Sequence, residues 1–277
     1  MSVKTILTKR AAAEPQPAAS NETNPRLARP VSRITTPEEA WGGATGKGIR
    51  VAVVDSGIDA SHSDIQGSVK GGTDVEMTPS GPQWFPCSFT DAFGHGTACA
   101  GIIKSIAPEV ELYTVKVLGP SCGGTGEAFL AGLRWAVENK MNVVNLSLGT
   151  TREEYFAYLH ELADLAYFGR TILVAAANNV PPPSFPSIFS SLISVGNLPT
   201  GDKFSFAYHY GNRIELAAPG TNIRAPWAGG GYKTVTGTSF AAPHITGIVS
   251  LILSKHPYLT PFELKAILYA VAARHQG

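Results

Sequence analysis

The run Val51-Ala52-Val53-Val54-Asp55 constrains this chain most. Four consecutive apolar positions, closed by a carboxylate and the turn Ser56-Gly57, fit a strand covered on both faces. Short β-branched runs recur at Glu111–Val117, Val143–Leu146, Ile172–Ala176 and Leu192–Val195, and again near Ile214–Ala217. Between them lie longer segments with helical spacing, at His95–Ile103, Gly126–Lys140, Glu153–Phe168, Ser239–Lys255 and Pro261–Ala273. Strands that alternate with helices imply parallel pairing, and a parallel sheet needs cover on both faces. The expected fold is α/β, with three layers and a mostly parallel central sheet between helices. In such sheets chemistry gathers beyond the carboxyl ends of the strands. Polar residues at those ends are the first candidates for function.

Apolar residues spread evenly from Ile49 to Ala273, and no Ser/Gly-rich or charged run divides them. One domain over residues 36–277 is expected, preceded by a flexible tail over residues 1–35 that is rich in Ala, Pro, Asn and Gln. The net charge of +1, with Lys and Arg scattered singly, gives no basic stripe, so nucleic acid is excluded as a partner. No stretch reaches the length of a membrane span, although Ile245–Leu253 is strongly apolar. The patch at Val3, Ile6 and Leu7 is too short and polar for a secretory core. A cytoplasmic setting is therefore expected, with secretion or membership of a larger polypeptide as alternatives. Three cysteines, Cys87, Cys99 and Cys122, are too few for a disulfide framework or a zinc site. They read as reduced and partly buried, with a Cys87–Cys122 bridge as the other reading.

Three polar residues stand where strands end or helices begin. Asp55 closes the first strand, His95 sits between Gly94 and Gly96, and Ser239 follows Thr236-Gly237-Thr238 at the start of a long apolar helix. Each has an ordinary explanation alone: a turn carboxylate, a satisfied core histidine, an N-cap serine. Together, VAVVDSGID, GHGTACAG and GTSFAAPH in this order resemble the three signature segments of the subtilisin family. The resemblance runs from about Pro37 to the C-terminus. It includes Leu112–Gly119, Asn145–Gly149 and Ala218-Pro219-Gly220.

What the resemblance implies is a subtilisin-like fold and a serine endopeptidase acting on a protein or peptide substrate. Ser239 would be the nucleophile, His95 the general base and then acid, and Asp55 the group that orients the imidazole. Asn179 takes the oxyanion-donor position, while Asn178 occupies the place of a family glycine and is a candidate stand-in. The backbone segments that would hold an extended substrate strand are Gly123, Gly124 and Thr125 on one side and Ser147, Leu148 and Gly149 on the other. Two further uses of the same constellation stand beside hydrolysis. One is a peptide macrocyclase or transpeptidase on the same acyl-enzyme, and the other a non-catalytic binding module that keeps the fold. No cofactor and no metal are expected, because the family's calcium loop is missing between His95 and Lys116. Asp59, Asp64 and Asp91 read as solvated surface carboxylates. Cys99, one helical turn after His95 as in the family's thiol-containing branch, reads as a small buried hydrophobe. His244 reads as structural, since five residues along a helix turn it away from Ser239.

Overall fold

The computed structural model describes residues 33–199 and 201–275. The tail expected over residues 1–35 falls almost entirely outside this range. The short helix α1 (Pro37–Trp41) opens the described chain under a capping box in which Thr36 and Glu39 satisfy each other's backbone N–H. A nine-stranded sheet follows, built from β1 (Arg50–Asp55), β2 (Val69–Thr78), β3 (Gly81–Pro86), β4 (Glu111–Lys116), β5 (Val143–Leu146), β6 (Ile172–Ala176), β7 (Ile193–Leu198), β8 (Ala207–Tyr208) and β9 (Leu216–Pro219). Its order is β3-β2-β4-β1-β5-β6-β7-β9-β8. Only the two edge pairs, β2 with β3 and β8 with β9, are antiparallel. The fold is the expected three-layer α/β arrangement.

The double burial of the strands has a direct cause in their side chains. Successive residues of β1 point to opposite faces, so Val51 and Val53 join one apolar cluster while Ala52 and Val54 join the other. The same split separates Ile172 and Val174 of β6 from Leu173 and Ala175. One cluster is closed by α2 (His95–Ile106), α5 (Thr238–Lys255) and α6 (Pro261–His275), the other by α3 (Gly126–Glu138) and α4 (Phe156–Phe168). Helix α5 is buried nearly all round and packs against α2, β5, β6 and β7. That position explains its uniformly apolar sequence, which a surface helix could not tolerate. None of the described helices is long and apolar enough to cross a membrane.

The sequence pattern missed the edge strands β2 and β3 and the hairpin formed by β10 (Ile223–Trp227) and β11 (Gly231–Val235). In β2 the glycines Gly71 and Gly72 and the charges Lys70, Asp74 and Glu76 break the apolar run. Edge strands are half solvated and lack the doubly apolar signature that marks the centre of the sheet. Helix α5 also starts one residue earlier than expected, at Thr238.

Candidate active site

Asp55 is the last residue of β1 and is fully buried. A carboxylate there needs partners, and it has two kinds. The Ser56 N–H donates to its Oδ1 at 2.7 Å. His95 Nδ1 lies 2.8 Å from Oδ1 and 2.9 Å from Oδ2. An ionised carboxylate only accepts, so the imidazole proton sits on Nδ1 and the Nε2 lone pair is free to take a proton. His95, 9% exposed, opens helix α2, and the Phe240 ring packs on it with centroids 4.9 Å apart. Burial works against a charged imidazole, but the Asp55 carboxylate outweighs it and holds the ring's pKa above its ordinary value.

Ser239 lies on the first turn of α5, partly open to solvent. Pro243, four residues on, carries no N–H and leaves the Ser239 carbonyl without its helical donor. Two side chains take that place: the Ser147 hydroxyl donates at 2.7 Å and the Cys99 thiol at 3.5 Å. Ser147 is itself held by the Asn145 amide at 2.9 Å, and Asn145 Oδ1 accepts from Thr246 of α5 at 2.9 Å. This buried chain ties β5 to α5 directly behind the serine. Cys99 Sγ also lies 3.8 Å from Asp55 Oδ2 and 3.9 Å from His95 Nδ1, so one thiol touches all three triad residues. Burial pushes its pKa up, which keeps it an S–H donor in place of a thiolate. The Ser239 hydroxyl makes no hydrogen bond to His95 here, a common state of catalytic hydroxyls before substrate tightens the site.

Two asparagines follow β6 and line the same cavity, but their hydrogen bonds differ. Asn179 Oδ1 accepts from the Thr238 N–H at 3.0 Å and from the Thr238 hydroxyl at 3.2 Å. With its oxygen anchored, its NH2 end is left to line a cavity of about 410 Å³ together with Ser239 and Ala177. Asn178 instead spends its amide on the Pro182 carbonyl at 2.7 Å, tying down its own loop. The cavity wall also contains Ser147, Leu148, Gly149 and the buried Ser184. A second cavity, of about 460 Å³, lies on the other side of Ser147–Gly149 and is lined by His95, Leu118, Gly124, Thr125, Phe129 and Tyr155 among others. Ser147, Leu148 and Gly149 therefore form the ridge between two cavities, one beside Ser239 and one beside His95. Thr125 lines the second cavity while its hydroxyl caps α3 by accepting from the Ala128 N–H. Gly123 is not part of either wall; its carbonyl accepts from the Gly119 N–H within its own loop.

Of the three acidic residues read from sequence as solvated surface carboxylates, Asp64 is exposed while Asp59 and Asp91 are half-buried, and all three have hydrogen-bond partners. Asp59 accepts from Ser61 and from the Gly229 N–H, and Asp64 accepts from the Tyr232 hydroxyl, so both anchor the β10–β11 hairpin. Asp91 accepts five hydrogen bonds at the start of α2. Four of its five donors lie within six residues of Asp91 in the chain, and only the Ser56 hydroxyl is brought to it from a distant segment. Cys87, Cys99 and Cys122 are all free thiols. Asp55, His95 and Cys99 bring ligand-type atoms within 4.8 Å of one another, a grouping that is the triad pair with the thiol beneath it. His244 is buried and donates from Nδ1 to the Phe240 carbonyl at 2.9 Å.

Known proteins share this arrangement. The model of the Subtilase family matches residues 46–277. The chain is 35% identical over 241 residues to the "Minor extracellular protease Epr" of Bacillus subtilis (strain 168), covering 82% of this chain and 36% of that protein. It is 33% identical over 257 residues to Subtilisin NAT of Bacillus subtilis subsp. natto, covering 87% of this chain and 65% of the relative. The chain thus spans between about a third and two thirds of these relatives' length. The crystal structure of a cold adapted subtilisin-like serine proteinase superposes with a TM-score of 0.70 at 29% identity, over 82% of this chain and 83% of that one. The cytoplasmic setting expected from the sequence is contradicted by the first of these relatives, whose name makes it an extracellular protease. With the family model covering most of the chain, the three signature segments included, this protein belongs to the subtilase family.

Proposed function

We propose that the chain is a serine endopeptidase working within residues 36–277. Ser239 Oγ attacks the carbonyl carbon of a peptide bond while His95 Nε2 takes the hydroxyl proton. The imidazolium then gives that proton to the leaving amine, and a water releases the acyl group from Ser239 by the same steps. Asp55 holds the ring in the tautomer that leaves Nε2 basic and stabilises the cation as it forms. The negative oxygen of the tetrahedral intermediate is held by the Asn179 amide and by the Ser239 N–H, a first-turn donor of α5 with no acceptor inside the helix.

The observation that carries this reading is the double contact of His95 Nδ1 with a fully buried carboxylate, with His95 and Ser239 lining neighbouring cavities that share the Ser147–Gly149 ridge. The substrate is taken to be a protein or peptide lying extended along the ridge Ser147–Gly149, with Gly124 and Thr125 across from it. Gly124 supports this placement, since a Cβ there would lie 2.7 Å from the Val117 carbonyl and push the loop out of the groove. The test is incubation with a mixed peptide library beside a Ser239→Ala protein. Linear products absent from the Ser239→Ala reaction are expected, with turnover at least about a million-fold apart, the scale on which a subtilisin responds to loss of its serine. Products that do not depend on Ser239 would overturn the proposal.

A further inference from the structure

Helix α2 carries His95 in its first turn, yet it has no cap of its own. Its N-cap is Gly94, in the left-handed region at φ 117 with no side chain to offer. A side chain is excluded there, since a Cβ would fall 2.2 Å from the Trp227 indole nitrogen. The first-turn N–H groups need acceptors from elsewhere. They find them in two residues outside the helix. Asp91 Oδ2 accepts from the Thr97 N–H at 2.8 Å and from its hydroxyl at 2.6 Å, and Ser56 Oγ accepts from the Gly96 N–H at 3.1 Å.

The other oxygen of Asp91 faces the triad's second element. Asp91 Oδ1 accepts from the Ser56 hydroxyl at 2.7 Å, from Gly94 N at 2.7 Å and from Phe93 N at 2.9 Å. The backbone reinforces the joint: Ala92 N donates to Ser56 O at 2.9 Å, and Gly57 pairs with Asp91 as an antiparallel bridge. Ser56 follows Asp55 directly, and Gly94 precedes His95 directly. One carboxylate therefore grips the end of β1 and the start of α2 on both sides of the Asp55–His95 contact. Its distances of 2.6 to 2.9 Å are those of charge-assisted bonds.

We propose that Asp91 is a positioning residue for the triad, fixing the Asp55 carboxylate and the His95 ring relative to each other through Ser56 and the first turn of α2. This rests on the peptidase reading given above. Asp91 touches neither substrate nor the reacting atoms, so it acts through geometry. Asn at this position keeps an acceptor on the Ser56 side but puts an NH2 where Thr97 needs an oxygen. Ala removes both grips.

The experiment compares the parent, Asp91→Asn and Asp91→Ala in peptide hydrolysis, below the unfolding temperature of each. Expected is a fall in kcat of about 10-fold for Asn and about 100-fold for Ala, the scale of a misplacement on the order of 1 Å, with KM within about two-fold. The His95 ring titration, followed by NMR in a Ser239→Ala background, is expected to move to lower pH in Asp91→Asn, because a loosened Asp55 holds the charged ring less well. A lower melting temperature with kcat and the ring titration unchanged would overturn the proposal and leave Asp91 a helix cap only. If Asp91→Ala does not fold, Ser56→Ala removes the grip on β1 alone. It is expected to lower kcat and to combine with Asp91→Asn less than additively; full additivity would count against the joint. Should the parent show no peptidase activity, the function proposed above fails, while the ring titration still decides the role of Asp91.

Discussion

The two helices that bring the triad together begin alike and are used in opposite ways. Both α2 and α5 start after a glycine at positive φ, Gly94 at 117° and Gly237 at 154°, and neither has a side-chain cap of its own. At α2 the first-turn donors are taken up by Asp91 and Ser56. At α5 a side chain takes only the Thr238 N–H, through Asn179 Oδ1, the Phe240 N–H turns back to the Gly237 carbonyl, and the Ser239 N–H has no acceptor among the described residues. The difference follows from what each helix must do. A base has to be held still, so the first turn of its helix is gripped by two side chains from outside it. A helix end that is to receive a developing negative charge must keep its donors unspent, because a donor already bonded stabilises the ground state as much as the transition state.

This contrast can be broken most severely on the α2 side. Asp55→Asn puts an amide where the His95 Nδ1 proton needs an acceptor, and turnover is expected to fall by about 10⁴-fold, as it does when such a carboxylate is made an amide. The same variant removes the group that raises the His95 pKa and leaves the burial that lowers it. The ring titration, read by NMR, should therefore move to lower pH.

On the α5 side, Asn179→Ala is expected to lower kcat by about 100- to 1000-fold with little change in KM, the range known for this donor in subtilisin. Asn178→Ala should leave kcat nearly as it was, since that amide is spent on Pro182. Equal losses for the two would erase the distinction between them.

Smaller again is the effect of Ser147→Ala. It takes from the Ser239 carbonyl the donor that replaces the helical N–H lost at Pro243, and leaves only the weaker thiol. Stability should fall by about 1 kcal/mol on chemical denaturation and kcat by about ten-fold. No change in kcat would show that the carbonyl's partner does not govern the hydroxyl.

The smallest expected effect concerns pH and the buried body of α5. Burial pushes the His244 pKa below its ordinary value, so the unfolded chain binds this proton more readily than the folded one. Stability from this group therefore rises with pH from the lowered folded value up to about 6.5 and is lost as pH falls through that window. Thermal unfolding of Ser239→Ala, which cannot digest itself, should show a steeper loss toward acid than Ser239→Ala/His244→Asn. Identical slopes would remove His244 from the account.

The central strands and helices were legible in the sequence because burial on both faces leaves an apolar run, and Val51–Val54 or Ile172–Ala176 can be little else. The edges were not, because Val69–Thr78 and the hairpin from Ile223 to Val235 are half solvated and carry glycines and charges. The triad residues could be singled out because three motifs surround them. Asp91 and Thr238 could not, since their value lies in what the turned chain brings to them.

By itself the sequence determined the layered parallel sheet, the order of its central elements along the chain and the three signature segments around Asp55, His95 and Ser239, because periodic burial and motif spacing are local properties of a chain. Tertiary structure alone decided which asparagine offers a free amide, which side chains replace the hydrogen bond that Pro243 cannot make, and which carboxylate closes the helix that Gly94 cannot cap. Each of these turns on where a donor meets an acceptor within about 3 Å once the chain has folded, and hydrogen bonds are too short in range for sequence spacing to predict.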